Sequence, residues 1–429
     1  MKNNSAVSGF HKLSTADRLS LLRELLNLSE EEIKHISSSG AISLDKVDRL
    51  IENVIGVAEI PLGVATYFLI NGKDYLIPMA IEEASVVAAC SNGAKVARLS
   101  GGFTGYSTDP IMIGQIQILD LDSPEDAVIR IMRNRDIILR TANEKSKTLR
   151  DNGAGAKDLE CRIIGSENRM LIVHLLVDVM DAMGANIVNT MCEHISPMLQ
   201  EITGGRINLR ILSNLSIHRR SYASAVFKKE AIGGENGVDR ILEAYRFAEL
   251  DMYRAATHNK GIMNGVDAVL LATMNDWRAV EAGAHAFASI GGYHSLTKYS
   301  MNSNGDLVGS IELPLAVGIL GGSTSVSPKA TVAKKILDVK SAGEFGYVLA
   351  AVGLAQNFSA IRALANEGIQ KGHMKLHARN IAISAGSPDS LIESVVEEMV
   401  KSGDISPSNA KRILASMEKS NKFFTTHGP

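Results

Sequence analysis

An ordered series of strand and helix patterns between residues 109 and 216 constrains the fold more than any other feature of the sequence. Residues 112–120, 169–179 and 206–212 are typical of strands. Residues 124–149 are typical of a charged amphipathic helix, and a second helix covers the chain before the last strand. The order strand, helix, strand, strand, helix, strand predicts a small α+β module of the ferredoxin-like type.

The rest of the chain is too long to belong to that module. With 429 residues, the protein exceeds what one hydrophobic core usually organises, so we expect two or three domains. A glycine-rich break from Ser100 to Pro110 predicts the first boundary. Gly368 and Gly372 bracket a predicted hinge, and residues 388–417 then predict a small helical unit.

Local signals organise the first hundred residues. Helical periodicity over residues 14–37 includes a capping box at Ser29 and Glu32, and residues 43–53 predict a third helix. Asn71-Gly72 between two apolar runs predicts a β-hairpin.

Charge and cysteine content exclude several classes of protein. A net charge of −2 provides no basic field for nucleic acid or an anionic membrane. Cys90, Cys161 and Cys192 are far apart and form no zinc spacing, which favours a reducing cytoplasm. The N-terminus has no signal-peptide pattern, and no apolar run is long enough to predict a membrane span.

The segment from Tyr253 to His285 has the composition of a charged site. Arg254, Lys260 and Asn264 fall in a predicted glycine-containing turn, and an apolar run separates them from Asp276. A lysine beside an aspartate keeps its charge when it is buried and can hydrogen-bond a developing oxyanion. A surface salt bridge near a helix start explains the same spacing equally well.

An adjacent pair of carboxylates, Glu82 and Glu83, opens a predicted alanine-rich helix after Pro78. One interpretation is the preference of helix N-termini for negative charge. The other is that one carboxyl is buried, has a raised pKa and donates protons.

Two glycine-containing loops are candidates for phosphate binding. A further predicted loop, at residues 150–158, is not a candidate, because it lacks the third glycine of the Rossmann fingerprint, and no P-loop is present. Residues 181–186 follow an apolar strand and open helix 186–200, where free N–H groups can meet a phosphate. The Gly-Gly-Ser-Thr sequence within residues 318–324 predicts a second loop that can cradle a phosphate. Plain tight turns remain an alternative for both loops.

Two histidines, His373 and His377, lie four residues apart after the predicted hinge. This spacing is half of a zinc motif, but H-E-x-x-H is not met, so a metal hydrolase is a remote alternative. A structural histidine or one carried on a mobile lid fits better.

Seven motifs occur in order along almost the whole chain, from about residue 15 to 385. They are E-N-V-I-G at 52–56, P-M-A-I-E-E-A-S at 78–85, D-A-M-G-A-N at 181–186, R-A-A-T-H-N-K-G-I-M-N-G at 254–265, N-D-W-R-A-V-E-A-G-A-H at 275–285, G-I-L-G-G-S-T at 318–324 and G-H-M-K-L-H-A-R-N at 372–380. Together they make the chain resemble the class II 3-hydroxy-3-methylglutaryl-coenzyme A (HMG-CoA) reductases.

The resemblance implies a multidomain α/β and α+β fold. Residues 1–108 and 217–370 would form a large mixed substrate-binding and dimerisation domain. Residues 109–216 would be an inserted ferredoxin-like, non-Rossmann dinucleotide-binding domain, and residues 371–429 a C-terminal helical flap. Members of the family form homodimers, and class II members often form trimers of dimers.

The resemblance also implies a reaction and four catalytic groups. Two NAD(P)H reduce HMG-CoA to mevalonate and coenzyme A in the mevalonate pathway. Lys260 would stabilise the oxyanion, and Glu83 would supply protons. Asp276 would hold Lys260 and tune Glu83, and His373 would protonate the departing thiolate.

Substrate and cofactor contacts carry over onto matching positions, with no metal. The substrate contacts are Ser85, Arg254 and Asn264, and the dinucleotide contacts are Ser146, Asp181, Met183, Gly184, Asn186, Asn214, Gly321 and Gly322. NADH-specific members have an aspartate where this chain has Ser146 between Lys145 and Lys147, which favours NADPH or dual use. The alternatives are catabolic mevalonate oxidation with NAD, or a non-catalytic homologue that binds acyl-CoA or nucleotide.

Overall fold

A computed structural model describes residues 4–40, 42–167, 169–321, 327–366 and 378–426. The strands are β1 Leu62–Ile70, β2 Lys73–Ala80, β3 Phe103–Ser107, β4 Ile111–Leu119, β5 Gly155–Ile164, β6 Met170–Asp178, β7 Arg206–Ser213, β8 Arg220–Phe227, β9 Thr297–Met301 and β10 Leu307–Pro314. The α-helices are α1 Thr15–Leu26, α2 Glu30–Ser37, α3 Leu44–Val47, α4 Val86–Arg98, α5 Pro124–Arg133, α6 Arg135–Asn143, α7 Lys147–Asp151, α8 Ala185–Thr203, α9 Gly234–Leu250, α10 Met252–Ala272, α11 Trp277–Ala288, α12 Pro328–Leu337, α13 Ala342–Asn366, α14 Ile392–Ser402 and α15 Pro407–Thr426.

The larger sheet has the strand order β2-β1-β3-β8-β10-β9. All its neighbouring strands are antiparallel except β1 and β3. The predicted hairpin is confirmed, because Asn71 and Gly72, with φ of 50° and 77°, join β1 to β2. Helices α4, α10 and α13 contribute buried side chains to the core beside this sheet.

The smaller sheet has the strand order β5-β6-β4-β7, and all its pairs are antiparallel. With α5 to α8 in sequence, this is the predicted ferredoxin-like order. The sheet has a hydrophobic core of its own, built from β4, β5, β6 and the helices α5, α6 and α8. The proposed domain bounds stay a prediction, but the two sheets have separate cores.

Two predictions inside the smaller unit are wrong in detail. The helix expected over residues 124–149 is three helices, because Asn134 ends α5 and Ser146 caps the short α7. The expected loop at 150–158 ends early, since β5 begins at Gly155 and pairs with β6. The alternating pattern of β5 includes charged residues on its exposed side, which resemble loop composition.

The N-terminal helices pack on β2 and α12 through a small apolar cluster. The capping box is confirmed: Ser29 accepts a hydrogen bond from the N–H of Glu32, whose carboxylate accepts from the N–H of Ser29. The helix expected over residues 43–53 is limited to Leu44–Val47.

The turn expected around Lys260 is also wrong, because α10 is continuous through both of its glycines. A Cβ on Gly265 would lie 3.0 Å from the side chain of Gln356, so this glycine lets α13 approach α10. Helix α13 is apolar and long enough to span a membrane, but most of it is buried, as in the core helix of a globular protein.

The C-terminal part of the described chain is helical. Residues 378–384 are helical, and with α14 and α15 they form a fourth apolar cluster. The predicted hinge and both candidate histidines, His373 and His377, lie outside the described residues.

Candidate active site

The catalytic candidates Glu83 and Lys260 lie together although 177 residues separate them in sequence. The Lys260 Nζ donates to the Glu83 Oε2 at 3.3 Å. Lys260 projects from the middle of α10, and Glu83 lies in the loop between β2 and α4. In the single chain the side chains of Lys260 and Glu83 are 59% and 40% exposed. We expected a buried pair, and the single chain does not show one.

Lys260 points toward solvent because the opposite face of α10 is buried. On the opposite face, His258 lies within hydrogen-bond distance of Thr297 at 2.7 Å and of Asn357 at 3.1 Å. Asn259 donates its amide to the carbonyl of His294 at 2.8 Å. Burial, together with the positive charge of Arg254, lowers the pKa of His258 to about 3. The His258 imidazole is therefore neutral near pH 7.

The segment that carries the acidic pair is a loop, and the helix expected from Glu82 onward begins instead at Val86. Ser85 has φ 81° and ψ −21°, a left-handed conformation that costs energy for any residue with a Cβ. Its hydroxyl makes no cap hydrogen bond. Strain of this kind is often found where a side chain is held toward a ligand.

The third candidate, Asp276, caps α11. Its carboxylate accepts a hydrogen bond from the N–H of Ala279 at 3.1 Å. Among the described residues no ion pair joins it to Lys260, so the expected contact between these two side chains is not made in the single chain. The adjacent Asn275 accepts from the N–H of Gly318 at 2.9 Å.

The substrate candidates Arg254 and Asn264 are on the same helix as Lys260. Asn264 follows Lys260 by four residues and therefore lies on the same face. Arg254 is in the first turn and half-buried, and burial lowers the pKa of its guanidinium. One rigid helix thus carries one ammonium, one amide and one guanidinium.

The loop at 181–184 is a narrow turn before α8. Gly184 has φ 98°, and a Cβ there would lie 2.6 Å from the side chain of Val179. No side chain caps α8, so the N–H groups of its first turn receive no cap hydrogen bond from a side chain. The Asp181 carboxylate accepts from the N–H of Ala342 at 2.7 Å.

The other cofactor candidates are more scattered. Ser146 caps α7 by accepting from the N–H of Leu149 at 3.3 Å. Asn214 follows β7 and is exposed. Its main-chain carbonyl packs against Gly283, and a Cβ on Gly283 would lie 2.5 Å from that carbonyl oxygen. Gly321 has φ 74°. Gly322 lies outside the described residues.

A cavity of about 770 Å³ extends from Ser85 between the N-terminal helices, β1 and α4. Most of its lining is apolar, but Arg18 and Lys95 add positive charge and Asn92 adds an amide. These polar residues are not among the site residues predicted from the sequence. The signal was present, because Asn92 and Lys95 are polar side chains on a helix otherwise rich in alanine and valine.

Within the described ranges, no three His, Cys, Asp or Glu side chains are grouped closely enough to bind a metal ion. The histidine pair of the metal-hydrolase alternative is not among those residues.

The chain matches the family model for hydroxymethylglutaryl-coenzyme A reductase over residues 14–378. It is 55% identical over 412 residues to the 3-hydroxy-3-methylglutaryl-coenzyme A reductase of Archaeoglobus fulgidus, covering 96% of this chain and 94% of the relative. It is 36% identical over 380 residues to a probable reductase of Borreliella burgdorferi, covering 87% and 85%.

Solved structures give the same result for the fold. The class II reductase of Streptococcus pneumoniae bound to NADPH in open conformations superposes with a TM-score of 0.80 at 38% identity, covering 95% of this chain and all of that one. A second structure of the S. pneumoniae reductase superposes with a TM-score of 0.82 at 38% identity, covering 96% and 99%.

Proposed function

The chain belongs to the hydroxymethylglutaryl-coenzyme A reductase family and is an oxidoreductase, and from this premise we propose how its residues divide the reaction. The substrate is HMG-CoA, and the products are mevalonate and coenzyme A. The observation that carries the proposal is the 3.3 Å contact between Lys260 and Glu83 beside the strained Ser85.

Each reduction step places negative charge on an oxygen atom. The Lys260 ammonium stabilises that charge, and the Glu83 carboxyl donates the proton that neutralises it. The first step converts the thioester to a hemithioacetal, which expels the coenzyme A thiolate to give an aldehyde. The second step converts the aldehyde to the primary alcohol. A lysine that lies against the acid can serve both steps without moving.

Two further groups complete the chemistry in this proposal. Asp276, at the start of α11, holds Lys260 and tunes Glu83 when the site closes. His373 protonates the departing thiolate, because a thiolate whose conjugate thiol has a pKa of ~8.5 leaves poorly unless it is protonated. Closure also desolvates the exposed pair and thereby strengthens its electrostatic effect.

The cavity beside Ser85 fits the coenzyme A part of the substrate. Its apolar lining suits the pantetheine chain, and Arg18 and Lys95 provide charges for phosphate groups. Ser85 would then contact the acyl end, where the half-buried Arg254 pairs with the acyl carboxylate. Asn264 would add a hydrogen bond from the same helix.

We assign the nicotinamide dinucleotide to the loop at 181–184, because Gly184, with φ 98°, forms the turn before α8 and no side chain caps the first N–H groups of that helix, which can donate to a phosphate. When bound, it supplies the hydride. Asp181, Met183, Asn186, Asn214 and the glycine pair at 321–322 would contact it.

We favour NADPH over NADH, since Ser146 lies between Lys145 and Lys147 and the S. pneumoniae reductase binds NADPH. NADPH in turn favours biosynthetic reduction over catabolic oxidation of mevalonate. We place the protein in the cytoplasm as a homodimer, with a trimer of dimers as the larger assembly.

The test is the rate of absorbance loss at the nicotinamide band with NADPH and NADH side by side on HMG-CoA. The proposal expects oxidation of both nucleotides to depend on HMG-CoA, with a higher kcat/KM for NADPH. Tight binding of HMG-CoA without any absorbance loss would favour a non-catalytic binding protein instead. A higher kcat/KM for NADH would reverse the cofactor assignment and leave the reaction intact.

A further inference from the structure

A buried arginine lies where the chain passes from the smaller sheet to the larger one. Arg219 is in the connection between β7 and β8, and only 4% of its surface is exposed. Its Nη1 donates to the carbonyls of Ala182 at 3.0 Å and Met183 at 3.2 Å. Its Nη2 donates to the carbonyl of Val317. The guanidinium therefore contacts both the 181–184 loop and the segment after β10.

The environment of this guanidinium is unusual for a buried charge. In the part of the chain that the structure describes, no carboxylate lies within ion-pair distance of Arg219. Burial lowers its pKa to about 10, and the more distant charges of Asp181 and Asp178 oppose that effect. The group therefore remains charged near pH 7, and main-chain carbonyls solvate it in place of water.

The contacts around Arg219 continue toward the catalytic groups. The N–H of Ile319 donates to the carbonyl of Asp181 at 3.0 Å. A Cβ on Gly318 would lie 2.7 Å from the Met183 nitrogen, so the two segments are in direct contact. Gly318 in turn donates to Asn275 at 2.9 Å, one residue before Asp276.

We propose that Arg219 is a positioning residue for hydride transfer, which fixes the 181–184 loop against the 317–319 segment through its three carbonyl contacts. This inference rests on the proposed function, because the 181–184 loop is the dinucleotide site there. Arg219 touches neither substrate nor cofactor. By fixing the 181–184 loop, it positions the bound dinucleotide relative to Asp276.

A purely structural arginine would act differently. Its loss would lower the active fraction and hence the apparent kcat, and would leave the KM values of both substrates unchanged. A residue that positions the dinucleotide loop affects the cofactor KM selectively. The coenzyme A cavity lies on α4, β1 and the N-terminal helices and does not include the Arg219 contacts.

The experiment compares Arg219→Met and Arg219→Lys with Arg220→Met. Arg220 is the matched control, because it is the next residue and pairs with Glu312 of β10 at 2.7 Å inside the larger sheet. Arg219→Met should raise the NADPH KM at least tenfold and change the HMG-CoA KM less than twofold. Arg219→Lys should recover part of this loss, because one ammonium reaches the carbonyls of only one segment.

Equal changes in both KM values, or no change in either, would overturn the proposal. If Arg219→Met does not fold, a rise of at least threefold in the NADPH KM of Arg219→Lys supports it and an unchanged value overturns it. Titration of NADPH fluorescence keeps the test independent of turnover. If the wild type binds NADPH but reduces no HMG-CoA, the proposed function fails, and a tenfold weaker NADPH Kd in Arg219→Met still decides the role of Arg219.

Discussion

Replacing Lys260 by alanine should separate catalysis from stability. The Lys260–Glu83 contact joins two partly exposed side chains, and such pairs contribute only about 0–1 kcal/mol to the free energy of unfolding. Loss of a charged group that stabilises an oxyanion lowers kcat by about 10²–10³-fold, or about 3–4 kcal/mol of activation free energy. We therefore expect a nearly unchanged Tm and almost no HMG-CoA reduction.

The assay measures NADPH oxidation at saturating HMG-CoA together with the thermal unfolding of the same preparation. Lys229→Ala is the matched control, because the Lys229 Nζ pairs with Glu235 at 3.2 Å outside the site. It should retain both Tm and turnover. Turnover by Lys260→Ala within a few-fold of wild type would refute the role of Lys260. A large fall in its Tm would show that the pair is structural.

Three further substitutions test other parts of the molecule. Gly318→Ala should lower the stability by about 1–3 kcal/mol in calorimetry, because its Cβ would lie 2.7 Å from the Met183 nitrogen; an unchanged Tm would contradict the close packing. Ser85→Gly should relieve about 1 kcal/mol of backbone strain while raising the HMG-CoA KM, and a lower Tm would argue against strain at φ 81°. Burial and the nearby Glu281 raise the pKa of Asp267 to about 8. Between about pH 4 and 8 the folded protein therefore holds a proton that the unfolded chain has lost, and stability falls as pH rises. Asp267→Asn should reduce this slope of Tm against pH, and an unchanged slope would refute the shift.

The sequence predicts the smaller unit well because its signals are local. The apolar side chains of β4 and β6 pack into the core of this unit, and short apolar runs of this kind predict strands without information from distant residues. The sequence predicts α10 poorly for a physical reason. Its glycines are typical of a turn, but Gly265 instead allows close contact with Gln356 on α13. No local sequence pattern can indicate a packing partner that lies 91 residues away. A glycine selected for packing and one selected for a turn have the same sequence signal.

The candidate site is less accessible to sequence reasoning than the fold. Spacing alone leaves Lys260 as either a catalytic group or a surface ion pair, and only the family motifs connect it with Glu83. Arg219 gave no sequence signal, because its partners are the main-chain carbonyls of Ala182, Met183 and Val317. Main-chain acceptors are present at every residue, so no side-chain pattern marks them.

Glu83→Gln tests most directly whether the Lys260–Glu83 pair is the site of reduction. The amide keeps the size of the side chain but cannot donate a proton as the acid does, and loss of a general acid typically lowers the rate by about 10²–10⁴-fold. The measurement is single-turnover NADPH oxidation with saturating HMG-CoA, beside the Kd of HMG-CoA. The account predicts at least a 100-fold slower oxidation with a Kd within a few-fold of wild type. Oxidation at the wild-type rate would contradict it.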